Sequence, residues 1–104
     1  MLAKIQRCFA ADKAIYTRHA REEMRLEELG RIKEEEVFAA IQSGQVIENY
    51  PDDMPYLSVL VFGETSQKRP IHVVCAYSEE DDLSIIITAY QPDPARWVDY
   101  RRRK

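Results

Sequence analysis

Two side chains in this sequence titrate near neutral pH without help from their surroundings, His19 and His72, and there is no third histidine. Either can take or give a proton in a reaction at physiological pH. Cations stand close to both: Arg18 and Arg21 flank His19, and Lys68 and Arg69 precede His72. Tyr90 closes the last apolar run, with Arg96 and Arg101 beyond it. Each residue also has a plainer reading. His72, between Ile71 and Val73, fits a buried or half-buried sheet position, and His19 could pair with Glu23 one helical turn on. Tyr90 could pack with its hydroxyl at a sheet edge. Asp52-Asp53 and Glu79–Asp82 fall where turns are expected, and adjacent acids in a turn are solvated, so no metal site is expected. No glycine-rich phosphate loop, Ser-His-Asp order or dinucleotide fingerprint is present, and no cofactor is implied.

The elements that must position these groups can be read from periodicity. Leu2, Ile5 and Phe9 predict a helix over about residues 2–11. Ala14–Tyr16 is a brief extended entry. Thr17 can cap a helix that runs to about Leu29, with Gly30 as its stop, and Arg18–Glu22 and Glu27–Arg31 are spaced as i, i+4 ion pairs. A further helix opens at Lys33-Glu-Glu-Glu36, buries Val37, Phe38, Ala40 and Ile41, and ends at Gly44. The period then changes to two. Val46–Tyr50, Leu57–Phe62, Ile71–Tyr77 and Leu83–Tyr90 read as four strands. Helices first and strands afterwards predict an α+β fold: two or three N-terminal helices followed by a four-stranded antiparallel meander sheet. If Ser78–Asp82 is the last hairpin loop, His72 lies opposite Thr88, sharing a face with Val74, Ile86 and, diagonally, Tyr90.

Composition bounds the rest. The chain has 104 residues, 45% of them hydrophobic and 32% charged, and is expected to form a single domain over 1–104. That mixture excludes a disordered or collagenous chain, and no apolar run reaches membrane-spanning length. Cys8 and Cys75 lie inside apolar patterns without zinc spacing, as expected for two reduced, buried thiols of a cytoplasmic protein. The net charge of −3 hides an uneven distribution. Residues 95–104 hold Arg96, Arg101, Arg102, Arg103 and Lys104 against Asp99, a net of +4, which leaves −7 on the rest. This basic C-terminal tail reads either as a solvated terminus or as a contact surface for RNA.

Four stretches carry a resemblance: Tyr16-Thr-Arg-His-Ala-Arg-Glu-Glu-Met24, Gly44–Asp53 (Gly-Gln-Val-Ile-Glu-Asn-Tyr-Pro-Asp-Asp), Arg69-Pro-Ile-His-Val-Val74, and Ile87–Trp97 (Ile-Thr-Ala-Tyr-Gln-Pro-Asp-Pro-Ala-Arg-Trp). In this order and spacing the chain resembles the DUF4258 family, a domain of unknown function of small bacterial proteins. That family is similar in turn to RelE-like and MqsR-like toxins, which cleave RNA on a compact helix-plus-sheet fold. The resemblance implies a metal-independent ribonuclease toxin whose partner is a small zinc-finger-type antitoxin. Such cleavage activates a ribose 2′-hydroxyl, stabilises a crowded phosphate and protonates a leaving oxygen. Carried onto this sequence, the acid and base are His19 and His72, with Tyr90 donating a hydrogen bond. Arg18, Arg21, Lys68, Arg69, Arg96 and Arg101 would hold phosphate or RNA, and Trp97 or Tyr100 would stack a base. Relatives tend to carry arginine where this chain has Glu23, which would shift phosphate contact to Arg21 or Arg25. The alternative is a non-catalytic protein-interaction or regulatory module that keeps the scaffold and has lost the chemistry.

Overall fold

Apolar residues on one side of each helix decide where the helices lie. The computed structural model describes all 104 residues. Helix α1 (Leu2–Ala10) buries Ile5, Cys8 and Phe9. Strand β1 (Ala14–Tyr16) follows, and then Thr17, in an extended conformation, accepts the Ala20 N–H at 3.1 Å and starts α2 (Arg18–Arg25). Helix α2 buries Ala20 and Met24 and stops a turn earlier than the sequence pattern predicts. Leu26 and Leu29 are both exposed, so no buried contact sustains another turn. With the helix ended, Glu27 cannot pair with Arg31 along it. Gly30, at φ +115°, reverses the chain so that buried Ile32 donates its N–H to the Met24 carbonyl at 2.9 Å. Helix α3 (Glu34–Gln42) begins with three glutamates at its positive end, and the Glu36 carboxylate accepts the Lys33 N–H at 3.0 Å. It buries Val37, Ala40 and Ile41, whereas Phe38, expected inside, is 42% exposed.

The four expected strands form as β2 (Gln45–Tyr50), β3 (Ser58–Glu64), β4 (Pro70–Ser78) and β5 (Leu83–Tyr90), paired antiparallel in sequence order. The sheet differs from the expectation in having a fifth strand and mixed pairing. Strand β1 lies parallel to β5, with Ala14 opposite Ser84 and Tyr16 opposite Ile86, so the order is β1-β5-β4-β3-β2. Three residues are too short to show a period of two. Their partner is also reached only after a long connection, as parallel pairing demands.

Alternation along the strands sorts the two faces. Val59, Val61, Ile71, Val73, Cys75, Ile86 and Ala89 join Ile5, Phe9, Met24 and Val37 in one core beneath the helices. Gly63 belongs to this face, and a Cβ there would stand 1.8 Å from the Ala40 carbonyl oxygen, so α3 rests directly on β3 backbone. Leu60, Phe62, His72 and Tyr90 point the other way. That second face is covered as well. The C-terminal segment folds back over it, buries Pro92 and Trp97, and closes as a hairpin of β6 (Trp97–Val98) and β7 (Arg102–Arg103). The basic tail is therefore an ordered part of the fold.

Candidate active site

The last hairpin has a different register from the one expected. Its loop is the four residues Glu79–Asp82, so Ser78 faces Leu83, and an extra residue in β5, Ile87, shifts the pairing again beyond Cys75–Ile86. His72 is thus directly opposite Tyr90, while Thr88 pairs with Val74 and Ile86 turns to the helix side. The expected cluster survives with Tyr90 and Thr88 exchanged and Ile86 removed. Two one-residue shifts, one at the loop and one at the bulge, together produce this.

His72 is completely buried, between Tyr90, Phe62 and Trp97, with the Trp97 ring edge-on at 4.5 Å. Its Nε2 lies 2.6 Å from the Tyr100 carbonyl oxygen and its Nδ1 lies 3.1 Å from the Tyr90 hydroxyl. A carbonyl can only accept, so Nε2 carries the proton and donates it. Burial pushes the His72 pKa below its ordinary value, partly opposed by the Tyr100 carbonyl and the charge of Glu48, so the ring is neutral and Nδ1 is an acceptor. Tyr90 then donates to it. Burial likewise raises the Tyr90 phenol to about 12, keeping it protonated. The result is a directed chain, Tyr90 O–H to His72 Nδ1 and His72 Nε2–H to the Tyr100 carbonyl.

Strand β2 adds two groups to this face that sequence reasoning did not single out. Tyr50 donates to Glu48 Oε1 at 2.6 Å, and Arg103 grips the same carboxylate through Nε at 2.8 Å and Nη2 at 3.1 Å. These hydrogen bonds hold the Glu48 carboxyl below the usual carboxylate range. The signal was available: Glu48 and Tyr50 are two apart in a strand, hence on one face. The guanidinium of Arg103 also lies over Trp97 and that of Arg101 over Phe62, each at 4.7 Å. Tyr100, expected as a stacking platform, stacks on Phe62 at 6.3 Å.

Other candidates are divided among different surfaces. Arg101 and Lys68 line one groove of about 380 Å³, together with Gln45, Phe62, Thr65 and Ser66, beside the His72 face. Arg69 points to the helix side. It donates to the Gly30 and Arg31 carbonyls, to Glu36 at 3.1 Å and to Gln91 at 2.7 Å, which ties the α2–α3 turn to β4 and β5. Arg21 bonds Glu34 at 2.7 Å and lies over Tyr16. His19 and Arg18 are exposed on α2, while both ring nitrogens of His72 are engaged by Tyr90 and the tail, so the two histidines are not paired. Arg96 is exposed. Glu23 accepts the Ala89 N–H on the stretch of β5 that β1 is too short to cover, and Glu27 accepts the Gln91 N–H at 2.7 Å just past the end of β5. No three His, Cys, Asp or Glu side chains converge to hold a metal ion. No helix is long and apolar enough to cross a membrane.

The model of a domain of unknown function, DUF4258, matches residues 16–91, well over half of the chain. Among curated proteins and among solved structures, none matches.

Proposed function

This chain belongs to the DUF4258 family, and from that premise we propose that it is a metal-independent endoribonuclease of the toxin type, restrained by a small zinc-finger antitoxin. The observation that carries the reading is the hydrogen-bonded chain from Tyr90 through His72 to the Tyr100 carbonyl, on a face bordered by a groove with Lys68 and Arg101. In the proposed reaction the Tyr90 oxygen takes the proton of a ribose 2′-hydroxyl as it passes its own to His72 Nδ1. The 2′-oxygen bonds to phosphorus and the bond to the 5′-oxygen breaks. The same pair then returns the proton to that leaving oxygen. The products are a 2′,3′-cyclic phosphate and a 5′-hydroxyl. Lys68 and Arg101 neutralise the phosphate. His19 and Arg18 would contact RNA from α2.

A second reading, a non-catalytic protein-interaction module, draws on one specific observation. His72 has no exposed surface under the hairpin, as a residue kept for packing would not. Inducible expression of the wild type, Tyr90→Phe and His19→Ala, with growth and total RNA followed, separates the two. The ribonuclease reading expects growth arrest and RNA fragments ending in cyclic phosphate from the wild type, reduced about 100-fold or more in Tyr90→Phe. Soluble wild-type protein that leaves RNA intact would overturn it in favour of the binding module.

A further inference from the structure

We propose that residues 92–104 are a latched cover over the Tyr90–His72 pair, and that the phosphate backbone of single-stranded RNA opens it by taking Arg103 from Glu48. The proposal rests on the reading above for the role of the site beneath the cover. Two strands of two residues each form this hairpin, and they pair only with each other, not with the main sheet. Its hold on the body of the protein is therefore made by one hydrogen bond, from His72 Nε2 to the Tyr100 carbonyl, and by side-chain contacts: Trp97 against His72, Tyr100 and Arg101 on Phe62, and the Arg103–Glu48 fork.

The hairpin's turn is held in an unfavourable shape. Asp99 and Tyr100, at φ 53° and 61°, both occupy the left-handed region, with the Arg101 N–H bonded to the Val98 carbonyl at 3.0 Å. A turn of this hand prefers Asn-Gly at those positions, and Tyr100 gains none of glycine's freedom. The strained residue is the one whose carbonyl caps His72. Backbone strain of this kind persists only while the surroundings impose it, so loss of a side-chain anchor favours release.

The anchor most open to competition is the ion pair. The Arg103 side chain is 63% exposed, and Glu48 presents it with two oxygens in the fork geometry that arginine also offers to phosphate. Glu48 thus occupies the place an RNA phosphate would take. Arg101, held only over Phe62 and by the Asp99 carbonyl, is a second point of capture, with Lys68 in the groove beside it. A strand bound by Arg101, Arg102 and Arg103 would carry the hairpin off the face that holds Tyr90.

Hydrogen–deuterium exchange of the hairpin amides, above all Arg101 and Lys104, tests this in the wild type and in Glu48→Gln. Each is measured alone and with a single-stranded 2′-O-methyl RNA oligonucleotide, which cannot be cleaved by 2′-hydroxyl attack. Glu48→Gln should speed exchange there by roughly two- to fivefold, the range an exposed ion pair supplies, while Val73 and Cys75 in β4 stay protected. Raising salt on the wild type should do the same without a substitution, which keeps the test valid if the variant fails to fold. The oligonucleotide should open the wild-type hairpin and bind Glu48→Gln more tightly. Unchanged hairpin exchange in Glu48→Gln and in salt, or an oligonucleotide that leaves the hairpin protected or does not bind, overturns the proposal. A hairpin that opens as expected on a protein that cleaves no RNA would leave the latch standing and remove only the ribonuclease reading.

Discussion

The Glu23 carboxylate, on the second helix, accepts the backbone N–H of Ala89 at 2.9 Å and so completes the hydrogen bonding of a strand on which it does not lie. The glutamate thereby caps the unpaired edge of β5 one residue before Tyr90. Glu23→Ala should leave that amide without its acceptor at a cost of about 1–3 kcal/mol. Glu23→Gln keeps an acceptor oxygen and should lose less. Urea unfolding together with exchange of the Ala89 amide would register both effects.

Arg69 distinguishes a scaffold cation from a phosphate-binding one. Its guanidinium serves two carbonyls, Glu36 and Gln91 at once, and only 18% of the side chain is exposed. A lysine keeps the charge but cannot form that planar fork. Arg69→Lys should therefore destabilise the protein by about 2–4 kcal/mol, read as a drop in melting temperature. It should leave RNA affinity per folded molecule unchanged. A variant of wild-type stability with weakened RNA binding would contradict the structural role.

Acid should weaken the fold first through His72. Its folded pKa lies below the ordinary value, chiefly by burial, so the unfolded chain takes up a proton that the folded one resists. The stability contributed by keeping this ring neutral is fully present above about pH 6.5 and is lost as pH falls through the lower folded value. Glu48, also depressed, adds a further loss within the carboxylate range. The urea midpoint should fall between about pH 7 and pH 5, and His72→Gln should flatten that slope even if it lowers stability throughout.

Gly63→Ala tests the contact that sets the helix layer on the sheet. The new methyl would meet the Ala40 carbonyl at 1.8 Å and the Ala40 Cα at 2.7 Å. Backbone cannot rotate away as a side chain can, so α3 must lift. We expect a loss of about 3 kcal/mol or more, seen as a shifted thermal transition, whereas the same change on an open surface would be nearly neutral.

The parts of this fold legible in the sequence are those governed by local periodicity and capping. Thr17 announces α2, the three glutamates announce α3, and apolar runs bounded by polar turns mark β2 to β5. The features that escaped are nonlocal. Three residues of β1 gain meaning only beside Ser84–Ile86, and the tail reads as a charged terminus until Trp97 is seen against His72. The bulge at Ile87 breaks any register counted from the loop alone. One signal was present and unused: Arg69 shares strand parity with Ile71 and Val73, which face the helices, while His72 has the opposite parity. Adjacency in sequence suggested that Arg69 and His72 act together, and the pleat of the strand separates them.

The parallel pairing of β1 with β5 also bears on how the chain is made. Ala14 meets Ser84 only after seventy further residues have been added, so on the ribosome the N-terminal segment emerges long before its partner exists. Until then Ile15 and Tyr16 have no strand to join, and the core beneath the helices lacks Ile86 and Ala89. The last strand of the main sheet to be synthesised supplies the template for the first, so β1 can take its place in the sheet only after β5 has been made.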